Sequence, residues 1–220
     1  MKKILKSLIL ILIIIIITRC TEKQINTNQT FVNQTETVKD EIQNGDIIFQ
    51  TSLSQQSKAI QLATKSKFSH CGIIYKKENK WMVFEAVQPV KLTLLETWIN
   101  SGEEQKYVIK RLKNAKGLLN ESILKKMKLE GEKMMGKNYD TTFEWSDNRI
   151  YCSELIWKIY DRALGIQLGK LEKLGDLDLS HDIVKKILTK RYGKNIPKDE
   201  IVISPGSIFN SNLLETIKSN

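Results

Sequence analysis

The 220-residue chain carries 35 basic and 25 acidic side chains, two histidines and three cysteines, for a formal charge of +10. A hydrophobic content of 41% with 27% charged residues is that of a folded globular domain, and three cysteines are too few for a disulfide-stapled scaffold. The basic residues are scattered, and no helix-turn-helix, zinc-finger or aromatic RNA-binding pattern accompanies them, so nucleic acid is not an expected partner.

The chain opens "MKKILKSLILILIIIIITRC", a basic start followed by an unbroken apolar run over 8–17. Such a run is too short for a bilayer core, which needs about 20 residues, and fits the apolar centre of a secretory signal. It stops at Cys20 and the sequence turns polar at once, which resembles a bacterial lipoprotein signal with Cys20 as the lipidated residue. Arg19 stands where that pattern carries a small residue, and an uncleaved signal anchor is the alternative. Either way an exported, membrane-anchored protein of the cell envelope is expected. Residues 21–40 are polar and cannot bury enough surface to order themselves, so they read as a flexible tether to a single domain over 41–220.

Within that domain, "GDIIFQ" over 45–50 predicts a turn and a short strand, and Ser54 is placed to cap a helix carrying Ala59, Ile60, Leu62 and Ala63. Strands over 69–76 and 81–87 flank "KKENK", a hairpin turn. "LLETWINSG" predicts a short helix stopped by Gly102, and "KYVIKRL" another strand. Residues 118–135 read as a lysine-rich helix with Leu119, Ile123, Met127 and Met134 on one side. Helices over 152–164 and 181–192 follow, and "EIVISPGSIF" closes with a strand and a turn. Strands early and helices late predict an α+β fold, with an antiparallel sheet packed against helices.

Cys152 opens the helix over 152–164. Leu155, Ile156, Ile159 and Ala163 follow it at spacings of 3, 4, 7 and 11, which is one helix face. The thiol therefore points inward, as packing filler or as a thiolate favoured by the helix N-terminus. A nucleophile needs a base. His181 sits at a helix start and is expected to be exposed, whereas His70 lies inside a strand. If the hairpin loop is symmetric, Lys76 pairs with Trp81, Gly72 faces Glu85, and His70 and Glu85 become diagonal neighbours on one face. That pair is a structural contact or an imidazole with its orienting carboxylate. Alternation sends Cys71 to the other face, as core packing, and no Cys71–Cys152 disulfide is expected. Two separated histidines without Cys-x-x-Cys or His-Glu-x-x-His give no metal site, and no phosphate-binding glycine loop is present, so no metal or cofactor is expected.

"GDIIFQ", "AIQLATKSKFSHCGIIY", "VFEAVQPVKLTLLETWI", "NYDTTFEWSDNRIYCSEL" and "IPKDEIVISPGSIF" resemble, in this order, the permuted papain-like cysteine hydrolases of the NlpC type, in the YaeF/YiiX branch. The resemblance implies a circularly permuted papain-like fold, with Cys152 as nucleophile, His70 as base and Glu85 as the residue that orients it. It further implies cleavage or transfer of an acyl group at an amide or ester bond. Tyr139 and Tyr151 are candidates for lining the substrate site. The expected partner is an envelope peptide or an acylated lipid, and the protein is expected to be a monomer. A non-catalytic papain-like module that binds lipid or envelope peptide is the competing reading.

Overall fold

The computed structural model describes residues 41–220. The expected leader, the lipidation site at Cys20 and the tether lie outside the described residues. Among the described residues no helix is long and apolar enough to cross a membrane.

In chain order, β1 (Ile47–Gln50) leads into α1 (Ser57–Thr64), and β2 (His70–Lys77), β3 (Lys80–Glu85) and β4 (Lys91–Leu94) form a meander closed by α2 (Leu95–Asn100). Next come β5 (Val108–Leu112), α3 (Ala115–Leu118), α4 (Glu121–Glu132) and the short pair β6 (Asn138–Tyr139) and β7 (Arg149–Ile150). The chain then runs through α5 (Cys152–Leu164), β8 (Glu172–Lys173), α6 (Asp182–Tyr192), β9 (Ile201–Val202), α7 (Pro205–Phe209) and β10 (Leu214–Ser219).

Six strands make one antiparallel sheet in the order β10-β5-β1-β2-β3-β4, the α+β arrangement expected from the sequence. Strand β1 lies inside the sheet, and all four of its residues are buried, which explains why it has no polar face to alternate with. On one face Phe49, Cys71, Ile73 and Phe84 pack against Leu155, Ile156 and Ile159 of α5, the apolar stripe read from the sequence. A second cluster joins Ala59 of α1 to Leu174, Val184, Leu188 and Val202, so α1 and α6 meet through side chains rather than through the sheet.

The β2–β3 hairpin fixes the register that matters most. Lys76 pairs with Trp81 and Ile73 with Phe84, as a two-residue loop requires. The loop is Glu78–Asn79, with φ of 48° and 62° at the two positions, the pattern of a type I′ turn. One step further along this register Gly72 falls opposite Glu85. A Cβ at Gly72 would lie 2.3 Å from Val83 Cγ1 and 2.9 Å from the Phe84 carbonyl oxygen, so only glycine lets β3 approach here.

Two sequence expectations are corrected, and one strand is added. Ser54 does not cap α1: its hydroxyl bonds to Ser52, and α1 starts after Gln56 with no side-chain cap. The helix expected over 118–135 is broken at Leu119–Asn120, because Asn120 turns outward in extended conformation and its side chain accepts from the Ile123 amide, starting α4 afresh. The segment Leu214–Ser219 was unassigned in sequence and is an edge strand, β10. Only Leu214 of it is buried, so no alternation marks it.

Candidate active site

His70 is the first residue of β2, and Glu85 is the last of β3. Their expected diagonal contact is present: His70 Nε2 lies 2.6 Å from Glu85 Oε2. Trp98 of α2 donates its indole N–H to the same oxygen at 2.8 Å, and Thr93 of β4 donates its hydroxyl to Oε1 at 2.5 Å. The Trp98 ring also stacks on the imidazole, with centroids 5.6 Å apart at 25°. Carboxylate and imidazole are therefore fixed by three neighbouring elements, and the ring has one nitrogen left, Nδ1, for a partner beyond Glu85.

The Cys152 sulfur is near enough to this ring to be the first of the influences that raise the His70 pKa. The cysteine opens α5 directly after Tyr151, whose amide is capped by Glu154. A thirteen-residue helix thus directs its positive end at the sulfur. Residues at 3, 4 and 7 positions further on anchor α5 against the sheet, and this packing brings the helix start to the end of β2. His70, Glu85 and Cys152 are 9%, 5% and 3% exposed, so all three interact in a nearly dry setting.

Cys71 joins them. Its side chain does enter the core, as alternation requires, and Cys71 also acts on Cys152, lowering its pKa through both the thiol and the backbone. The two cysteines are free thiols. Hydrogen bonding from Cys71 is the largest influence on Cys152. Burial opposes ionisation, and His70 adds a further lowering, so the pKa of Cys152 falls well below the usual thiol value. Burial would lower the His70 pKa, but contact with Cys152 and then with Glu85 outweighs it and lifts the value to about 10. Burial would raise that of Glu85, yet the hydrogen bonds from His70, Thr93 and Trp98 bring it below the ordinary value. Burial and the neighbouring sulfur push Cys71 up, which keeps it a protonated donor. Together these shifts describe a thiolate–imidazolium pair backed by a carboxylate.

A model of the permuted papain-like amidase enzymes, YaeF/YiiX, C92 family, matches residues 41–218. The chain belongs to this family. It is 48% identical to the protein YiiX of Escherichia coli (strain K12) over 175 residues, covering 80% of this chain and 85% of that one. A crystal structure of the metalloprotein yiiX from Escherichia coli O157:H7 superposes with a TM-score of 0.77 at 47% identity, covering 82% of this chain and 98% of that one. The fold is accordingly the permuted papain-like one, and membership of an amidase family supports a cysteine-hydrolase function. The word metalloprotein belongs to that relative. Among the described residues of this chain, no group of three or more His, Cys, Asp and Glu side chains is placed to hold a metal ion, and no step below uses a metal.

Beside Cys152 a cavity of about 80 Å³ runs between α1 and α6. Its walls include Tyr139, Tyr151, Val184, Leu188 and Val202, so both tyrosines named from the sequence line the cavity that reaches the cysteine. The hydroxyl of Tyr151 accepts from the Ile203 amide, and that of Tyr139 accepts from Gln56 Nε2 at 2.9 Å. His181 remains at the start of α6 with its side chain 43% exposed, away from this site as expected. Thr93, Trp98, Gln56 and Cys71 escaped the sequence reading as site residues. Only Cys71 carried a signal, its position next to His70.

Proposed function

We propose that the protein is a cysteine hydrolase that cleaves or transfers an acyl group at an amide or ester bond, with Cys152 as nucleophile, His70 as acid and base, and Glu85 as the orienting carboxylate. The observation that carries this reading is the convergence of Cys152, His70 and Glu85 at the N-terminus of α5, beside an apolar cavity. The Cys152 thiolate attacks the acyl carbon, and the carbonyl π electrons move to oxygen. The Cys152 N–H, at the first helical position and without an intrahelical acceptor, is one donor for that oxyanion. As the intermediate collapses, the C–N or C–O bond breaks and the imidazolium gives its proton to the departing amine or alkoxide. Water, deprotonated by the now neutral His70, or an acceptor amine then releases the acyl group and restores the thiolate.

The cavity supports an apolar acyl end. A peptide backbone threaded between Val184, Leu188 and Val202 would leave N–H and C=O groups without partners, at a cost of roughly 1–3 kcal/mol each by protein mutational data. A hydrocarbon meets no such penalty, which favours an acylated lipid over an envelope peptide as the class of substrate. At about 80 Å³ the space is near half of the ~150 Å³ that admits benzene in an engineered core, so it takes a short aliphatic group as it stands. On p-nitrophenyl esters, turnover is expected to be faster for butyrate than for acetate and to fall again at decanoate, where the chain must part α1 from α6. Rates that climb steadily to decanoate, or do not vary, would show that the cavity does not select the acyl group.

The expected site of action is the cell envelope. Basic residues before the apolar run over 8–17, and Cys20 at its end, support export with lipid anchoring at that cysteine. Cells fed a tritiated fatty acid are expected to label the full chain and to lose the label in Cys20→Ala. Equal labelling of the two places the anchor elsewhere.

A further inference from the structure

The cavity beside Cys152 shares part of its wall with a second depression. Gln56 and Arg191 line both, and beyond them the surface opens into a groove between Lys186, Lys190 and Arg191 on α6 and Ser54 and Thr142 opposite. Lys186 and Lys190 are four residues apart and so occupy one helix face, and Arg191 adds a third cation at the same end. Among the described residues no aspartate or glutamate lines this groove. Among the described residues none of the three cations forms an ion pair. The lysine of α6 that does, Lys185, meets Asp182 at 3.9 Å, and neither of these lines the groove.

Arg191 makes the asymmetry plain. It is partly buried, donates to Gln56 Oε1 and lies 5.0 Å from the centre of the Phe143 ring. These contacts hold the guanidinium in place, and the Phe143 ring and the field of Asp140 compensate its charge only in part, so that burial still lowers its pKa. A partly desolvated cation with no ion-pair partner, in a groove lined also by Lys186 and Lys190, is an arrangement that an anion relieves. Gln56 links this cation directly to Tyr139, and Tyr139 lines the cavity together with Cys152.

We propose that the groove of Lys186, Lys190 and Arg191 binds the anionic part of the substrate, so that the acyl compound handled at Cys152 carries a phosphate or carboxylate on the leaving-group side of its scissile bond. This rests on the acyl-transfer role of Cys152. An apolar acyl end in the cavity and an anion in the groove would place the carbonyl between them, at the sulfur. Oxygen-rich anions fit the donor set, because the guanidinium offers paired N–H groups and the two lysines add ammonium donors.

Two alkylating agents of nearly one shape, anionic iodoacetate and neutral iodoacetamide, test the groove on the full protein. At low ionic strength the ratio of their rates at Cys152 is expected to exceed the ratio at glutathione. The double variant Lys186→Glu/Lys190→Glu is expected to cut that ratio by about threefold or more, with the effect shrinking in 0.15 M salt. The same charge change at the exposed positions Lys116→Glu/Lys126→Glu is expected to leave the ratio within the error of the wild type. A ratio that the first variant leaves unmoved, or that both variants move equally, overturns the proposal while fast iodoacetamide labelling still upholds the nucleophile. Labelling by iodoacetamide no faster than glutathione removes the nucleophile, and the groove's role with it. Two protection arms identify the source of the anion. Slower alkylation with phosphatidylglycerol than with phosphatidylcholine vesicles assigns a lipid phosphate, and slower alkylation with N-butyrylglutamate than with N-butyrylglutamine assigns a carboxylate. Protection in neither arm overturns the proposal.

Discussion

Alkylation of Cys152 by iodoacetamide is expected to stay fast down to pH 6 and to lose most of that rate, on the order of 10²-fold or more, when His70 is replaced. A thiol of ordinary pKa is only about one part in 10³ thiolate at that pH, so a fast rate there requires the lowered pKa of Cys152. Removing the imidazolium takes away one of the influences that hold it down, and burial then acts with less opposition. His70→Ala also strips Glu85 of a buried partner and can destabilise the fold. His70→Gln, which keeps an amide N–H for the carboxylate, separates loss of the ion pair from loss of structure. A pH 6 rate unchanged in His70→Gln would mean that the sulfur is not paired with this ring.

The Cys152–His70 pair is expected to leave folding stability nearly insensitive to pH between 6.5 and 9, for a reason of sign. His70 is raised from 6.5 to about 10, so its contribution is complete below 6.5 and is lost as pH climbs through about 10. Cys152 is lowered, so its contribution is complete above 9 and is lost as pH falls through its folded value. Between 6.5 and 9 the folded state holds one proton more than the unfolded chain on the ring and one fewer on the sulfur, and the two slopes offset. The pair therefore reveals itself in chemistry at the sulfur across a range where a melting temperature hardly moves.

How much of this was legible in the sequence depends on how local the determinant is. The α5 stripe and the two-residue hairpin are local, and they placed Cys152 at a helix start and His70 diagonal to Glu85 before any coordinates. Trp98 and Thr93 were invisible as partners of Glu85 because they reach it from α2 and β4, and nothing in "LTLLETWIN" marks a donor aimed at a carboxylate. Cys71 is the more instructive case. Strand alternation correctly sent it to the core face, yet the start of α5 lies at the end of β2, where a sulfur can meet the residues of both faces. Alternation describes a strand's two sides and says nothing about what abuts its end. In sequence the cations of α6 count only among the scattered basic residues. Their proximity to Ser54 and Thr142 depends on how α1 and α6 pack through Ala59, Val184 and Leu188.

Replacing Glu85 is expected to lower kcat/KM by between about 10²- and 10⁴-fold, and two variants should do so for different reasons. Glu85 Oε2 accepts from both His70 and Trp98, and Oε1 accepts from Thr93. In Glu85→Ala the buried His70 and Trp98 and the half-buried Thr93 lose their acceptor, at roughly 1–3 kcal/mol for each buried donor left unpaired, so a fall in melting temperature should accompany the loss of activity. Glu85→Gln keeps the shape and one acceptor oxygen. It sets an N–H₂ group against a donor and removes the charge that helps to hold the ring protonated. Because Glu85 stands behind Cys152 among the influences raising His70, its neutral amide should move the alkaline limb of the Cys152 alkylation profile below about 10, with a smaller thermal penalty than alanine. The imidazole resonances of His70, followed by NMR over the same range, report the shift directly. If Glu85→Gln loses activity while the alkaline limb and the ring titration stay where they are, the carboxylate does no more than fill space, and the triad reduces to a cysteine and a histidine.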